Sequence, residues 1–145
     1  MKLSKHTRKM EFSGDHHDDS LLIGNFGDVE FTARGTFKLS GMIYSKSAIE
    51  FTVVGDGLIK FHGVCEKIIV HLAKGNCTID LSEVTSKEVT CISLRDNSQI
   101  WVGPTKLIKR ANLQDEAVLT YRGKARLDSY SLSGNSKIHY MGEAG

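Results

Sequence analysis

Five consecutive residues, Asp15, His16, His17, Asp18 and Asp19, form the densest cluster of potential metal ligands in the chain, with His6 upstream. Imidazole and carboxylate together suit a divalent metal. Adjacent residues of an extended chain point apart, however, and no defined ligand spacing accompanies them. The segment reads as a solvated loop, so no metal and no other cofactor is expected. Asp56, Asp96 and Asp115 are the carboxylates that a polysaccharide-cleaving site would need, one as acid and one as base or nucleophile. All three lie in turns, Gly55-Asp56-Gly57, Asp96-Asn97 and Asp115-Glu116, whose sister turns read Gly75-Asn76 and Gly134-Asn135. Backbone geometry accounts for such residues without chemistry. No Ser-His-Asp, phosphate-loop or dinucleotide motif is present. No catalytic residue is assigned, and the chain is expected not to be an enzyme.

Cys65, Cys77 and Cys91 are odd in number and lack CxxC spacing, against both a disulfide framework and a cysteine-rich zinc site. A reducing compartment suits them. With 19 Lys and Arg against 17 Asp and Glu, the net charge of +2 provides no field to collect a polyanion, so nucleic acid is not an expected partner. The chain has 145 residues, 40% of them hydrophobic and 25% charged, which fits one soluble domain with a sizeable core. Fourteen glycines and one proline indicate many tight turns between short extended segments and disfavour a helical bundle. Apolar runs such as Leu21-Leu22-Ile23 and Ile68-Ile69-Val70 are far too short to cross a bilayer, so no membrane insertion is expected. The amino terminus shows no export signal, which points to the cytoplasm on the literal sequence.

The elements that position these residues emerge from self-comparison. Leu94, Leu113 and Leu132 stand 19 residues apart, each followed six residues later by Ile100, Leu119 or Ile138 and then by Val102, Tyr121 or Tyr140. Two residues before each anchor stand Ile92, Ala111 and Tyr130, an alternation at period two that marks strands. Phe31, Val53 and Leu72 extend the series backwards, with spacings of 22, 19, 22, 19 and 19 residues over six units. A glycine recurs after the second strand, at Gly41, Gly63, Gly103, Gly123 and Gly142, and a third apolar segment follows, at Ile43, Cys65, Val84, Leu107 and Leu127. This pattern predicts an all-β, single-stranded parallel β-solenoid of about six coils, stacked so that inward positions form continuous apolar columns. The solenoid is assigned to residues 26–145. Residues 1–25, with Leu3, Met10, Phe12, Leu21, Leu22 and Ile23, are assigned to a cap that folds with Phe26 across the first coil.

The segment from Leu107 to Ile138 carries a leucine, a small turn residue, Tyr-x-Gly, a second leucine and Ser-Gly-x-Ser-x-Ile. These are Leu113, Ala117, Tyr121, Gly123, Leu127, Ser133, Gly134, Ser136 and Ile138. In this it resembles the auto-transporter adhesin head domain, also called the GIN domain, of exported bacterial proteins. The resemblance implies a right-handed parallel β-helix without established catalytic residues, held outside the cytoplasm or at the cell surface and active in adhesion or assembly. On architecture alone, a cytoplasmic polymer-forming β-helix of the kind bactofilins represent is a competing analogy.

Along the outward column Lys38, Lys60, Asp80, Trp101, Thr120 and His139, the single indole stands out. Trp101, with Arg122 one coil away, is the candidate binding site for a surface carbohydrate or a protein side chain. The final coil, with Leu132, Ile138, Tyr140 and Met141, is the candidate surface for self-association, since the stack's last apolar columns need cover. The expected function is a non-enzymatic, adhesin-like binding or assembly module; a carbohydrate-active enzyme on the same scaffold is the alternative from a different class.

Overall fold

Period-two alternation becomes parallel strand pairing along the whole chain. A computed structural model describes residues 8–24 and 28–142. It contains β1 (Arg8–Ile23), β2 (Val29–Tyr44), β3 (Ala48–Val64), β4 (Lys67–Lys74), β5 (Cys77–Thr85), β6 (Glu88–Leu94), β7 (Gln99–Val102), β8 (Leu107–Leu113), β9 (Val118–Tyr121), β10 (Arg126–Leu132) and β11 (Lys137–Tyr140). No helix occurs among the described residues, and hence none long and apolar enough to cross a membrane. β1, β2 and β3 are long strands that bend at a corner and pair along their whole length. Beyond β3 the corner divides each coil in two, giving one column β3-β4-β6-β8-β10 and another β3-β5-β7-β9-β11. The result is a β-solenoid, with the six units from Phe31 to Tyr140 as its stacked coils.

β1 differs from expectation. Rather than crossing the first coil as a cap, it runs parallel to β2, with Arg8 opposite Val29 and Ile23 opposite Ile43, and so adds a further layer to the stack. The solenoid therefore includes Arg8–Ile23 and does not begin at residue 26. The alternation of Met10 and Phe12 and a glycine at position 14 match β2, while the run Asp15–Asp19 disguises the second half of the strand. Leu3 and Phe26 lie outside the described residues.

The register is also shifted in the first units. Phe12, Ala33, Val53, Ala73, Leu94, Leu113 and Leu132 form one column, so Val53 stacks on Ala33 rather than Phe31, and Ala73 takes the place expected for Leu72. A β-bulge at His71 of β4, where Val70 pairs with Phe51 and Leu72 with the next residue Thr52, absorbs the residue that sequence spacing placed in the turn. The third apolar segment is not one column either. Ile43 and Val84 stack through Gly63, whereas Leu107 and Leu127 already belong to β8 and β10 of the following face. Past Val102 the chain rounds this side without a separate strand, which shortens the repeat.

Two physical features hold the coils together. Inward side chains are buried layer upon layer: Ile59, Ile79, Ile100 and Leu119 are all 0% exposed. In the early layers the core is aromatic, with the Phe31 ring 5.4 Å from Phe51 and edge-on to Phe61 at 5.7 Å. In the later layers alanines at positions 111 and 117 narrow it. The corner needs left-handed backbone. Gly35 has φ 103°, and a Cβ there would run into the carbonyl oxygen of Gly14 in the layer beside it. Further along the same corner, Asp96 and Asp115 adopt φ 57° and 63°.

Candidate functional site

Trp101 and Arg122 line one cleft. β7 and β9 pair with Trp101 opposite Thr120 and Val102 opposite Tyr121, and Arg122 follows directly on the end of β9. Together with Ser82, Val102, Thr120, Tyr121 and Met141 they line a cleft of about 150 Å³. That is smaller than the roughly 300–1,000 Å³ of ordinary small-molecule pockets, so the cleft has room for a ring edge or a side chain rather than an enclosed ligand. Trp101 is 39% exposed, whereas Thr120, flanked in its column by Trp101 and His139, is 6% exposed. The indole thus both shields the sheet and presents a face to solvent. Arg122 is exposed and forms no ion pair among the described residues.

The column holding Trp101 runs Ser40, Lys60, Asp80, Trp101, Thr120 and His139. Lys38 is not part of it, because the shifted register puts Lys38 between His17 and Leu58. Lys60 and Asp80 are neighbours, but the Asp80 carboxylate is engaged locally, accepting from Ser82 N at 3.0 Å and Ser82 Oγ at 2.6 Å. Thr120 is buried, so this column is not uniformly solvated.

The second candidate is the carboxyl-terminal layer. β10 pairs with β8 and β11 with β9, and among the described residues nothing pairs with their other edges. The apolar columns continue into this layer and lose their cover. Ala111 and Leu113 are 1% and 0% exposed, whereas Tyr130 and Leu132, stacked on them, are 61% and 43% exposed. Tyr140 and Met141 are exposed as well; Ile138 is partly buried against Leu119. Tyr140 is anchored: its ring lies 5.0 Å from Tyr121 and its hydroxyl donates to the Gly123 carbonyl at 2.7 Å. Tyr130, the most exposed of these large side chains, is a surface residue that sequence reading placed correctly in the repeat without assigning it to the end face.

The other candidate residues have structural occupations. Asp56 Oδ1 accepts from the backbone N of Asn76 at 3.4 Å, and Asp115 Oδ2 from the backbone N of Asp96 at 3.2 Å. These carboxylates and the side-chain ladder Asn97 to Asn76, at 2.9 Å, tie one corner to the next. In the amino-terminal layer, His17 Nε2 lies 3.1 Å from Asp15 Oδ1, and the His16 ring stands edge-on to Phe12 at 4.8 Å. Among the described residues no group of three or more His, Cys, Asp or Glu side chains is arranged to hold a metal ion; His6 lies outside them. Cys65 and Cys77 are buried and free, and Cys91 is partly exposed and free. Burial pushes the Cys65 thiol up to about 12, helped by the charge of Glu66, and the Cys77 thiol up to about 11. Both are therefore protonated at neutral pH and poor nucleophiles. No family model, no curated protein and no solved structure matches this chain.

Proposed function

We propose that the protein is a non-enzymatic β-solenoid that serves as an assembly module, associating with a second copy through its carboxyl-terminal layer. The observation that carries this reading is the abrupt uncovering of Tyr130 and Leu132 in columns that are fully buried one layer earlier. Two strand edges that no described residue pairs with lie alongside them, and such an edge favours pairing with another chain. The engagement of Asp56 and Asp115 in corner hydrogen bonds supports a scaffold over a polysaccharide-cleaving enzyme. An adhesin-like role draws on the resemblance of Leu107–Ile138; a polymer-forming scaffold would be the same association repeated. Multi-angle light scattering is the test. The parent chain is expected to exceed monomer mass as concentration rises, and Leu132→Glu to remain monomeric with an unchanged circular dichroism spectrum. A parent that stays monomeric at millimolar concentration overturns the reading.

The cleft at Trp101 favours a second reading, in which the module also binds a ligand. An indole face suits the apolar face of a sugar ring, and an exposed arginine with no ionic partner among the described residues suits a carboxylate. The ligand class that uses both is an acidic sugar. Trp101 is the chain's single tryptophan, so its fluorescence reports on this cleft alone. Titration with a uronic-acid oligosaccharide is expected to give a saturable change that Arg122→Ala weakens about tenfold. A flat response to millimolar oligosaccharide removes this second reading.

A further inference from the structure

We infer that the outer face of β8 binds a sugar that carries a sulfate or phosphate ester, with the oxyanion held by Lys109 and Arg110. The site lies in the column β4-β6-β8-β10, whereas the Trp101 cleft belongs to the column of β7 and β9, and it rests on neither of the readings above.

The pair of cations follows from the layout of β8. Strict alternation would turn one of two neighbouring side chains inward. Between the buried Ile108 and Ala111, however, stand two residues, and both Lys109 and Arg110 are exposed. β6 has the same double step, with Thr90 and Cys91 between the buried Val89 and Ile92, and the register aligns the two, setting Val89 opposite Ile108 and Ile92 opposite Ala111. In β10 the step holds Asp128 and Ser129, between Leu127 on Ile108 and Tyr130 on Ala111.

Two surface hollows of about 210 Å³ each share Arg110. The first is lined by Thr90, Cys91, Lys109 and Arg110, and supplies charge. The second adds Asn112, Ser129 and Ser131, and supplies neutral donors and acceptors. Asn112 and Ser131 are exposed and form no side-chain hydrogen bond among the described residues. Ser129 Oγ donates to the Lys109 carbonyl at 3.1 Å and keeps its lone pairs for another donor. One hollow is small for a ligand, but a monosaccharide with a charged substituent spans both.

Nearby carboxylates do not neutralise the pair. Glu88 Oε2 accepts from Thr90 Oγ1 at 2.6 Å, and Asp128 Oδ1 lies 3.3 Å from Arg126 Nε. Neither Lys109 nor Arg110 forms an ion pair among the described residues. An arginine fork can hold two oxygens of a tetrahedral oxyanion while a lysine beside it adds a point charge. A neutral sugar would leave both cations unpaired, and a bare anion would leave Asn112 and the serines unused. A sugar ester satisfies the two hollows together.

Calorimetric titration at low salt tests this, with the 6-sulfates and 6-phosphates of glucose, galactose and N-acetylglucosamine as probes. At least one ester is expected to bind about tenfold more tightly than its parent sugar or inorganic phosphate, and Arg110→Ala or Lys109→Ala to remove that advantage. Which ester binds best identifies the oxyanion. Arg122→Ala should bind like the parent, and Trp101 fluorescence should not respond, which separates this site from the cleft. Cys91 lines the first hollow and is partly exposed, whereas Cys65 and Cys77 are buried, so bound ester should slow the alkylation of Cys91 by iodoacetamide. No saturable heat with any ester up to about 10 mM overturns the inference. So does inorganic phosphate binding as tightly as the esters, or binding that both alanine variants retain. A single-stranded oligonucleotide that binds where no ester does would assign the cations to a nucleic acid and overturn it as well. Should a variant not fold, the comparison of ester, parent sugar and phosphate on the parent chain, with protection of Cys91, decides.

Discussion

Cys77 stands where Ser98 and Ser136 stand in later coils, and all three reach back to a carbonyl three residues earlier. Ser98 Oγ donates to Arg95 O at 2.6 Å and Ser136 Oγ to Ser133 O at 2.7 Å, while the Cys77 Sγ contact to Lys74 O is longer at 3.7 Å. This thiol is thus a corner residue, and its burial has a consequence for pH dependence. In the folded chain Cys65 and Cys77 lose their protons near pH 12 and 11, against an ordinary value of 9.0. Below about pH 9 both states keep the proton, so the full stability is present. As pH rises through that value the unfolded chain ionises first, and stability is lost until the folded values are reached. Thermal midpoints are accordingly expected to fall by several degrees between about pH 8.5 and 10.5, and to fall less for the double variant Cys65→Ala, Cys77→Ser, which lacks both buried thiols. Differential scanning fluorimetry of the pair checks this; parallel curves would show that the thiols do not contribute.

At the scale of the strand, stability comes from columns rather than from any single coil. β9 has four residues, Val118–Tyr121, too few to persist alone, yet Leu119 within it is 0% exposed because Ile100 and Ile138 lie on either side. Leu119→Asp would put a carboxylate between two apolar layers with no partner to pair it. The loss expected is about 3–5 kcal/mol, combining lost burial with the cost of a buried charge. A chemical denaturation midpoint within experimental error of the parent would contradict the column. The alternation in this strand was legible from Leu119 and Tyr121 alone. The register of the early coils was not, because Phe31, Phe37, Leu39, Phe51, Ile59 and Phe61 are apolar at several competing spacings, and the bulge at His71 carries no turn residue to announce it.

In the whole molecule each layer touches mainly its neighbours, so the stability of the stack is roughly a sum over adjacent interfaces, and terminal layers are the least supported. The carboxyl-terminal layer illustrates this, with every residue of β10 exposed except the partly buried Leu127. A second copy that covers it binds the folded chain and not the unfolded one, and so raises stability by mass action. The melting temperature of the parent should therefore drop on dilution, while that of Leu132→Glu should not depend on concentration. Scanning calorimetry over a hundredfold concentration range distinguishes the two; equal slopes would detach the end layer from association.

Sequence by itself determined the all-β class, the repeat, the inward columns of the last three coils and the turn role of Asp56, Asp96 and Asp115, because period and turn chemistry are local properties of the chain. It also singled out Trp101 and Arg122, although nothing local placed them in one cleft. Tertiary structure alone decided that Arg8–Ile23 is a layer, that Ala33 and Ala73 rather than Phe31 and Leu72 carry the central column, and that Lys38 lies off the column of Trp101. Those outcomes depend on which residue faces which across a gap of about 20 positions, and a bulge shifts the pairings that follow it in its own strand. The exposure of Tyr130 was undetermined for the same reason: its residue type suits a buried column, and only the absence of a further layer among the described residues leaves it in solvent.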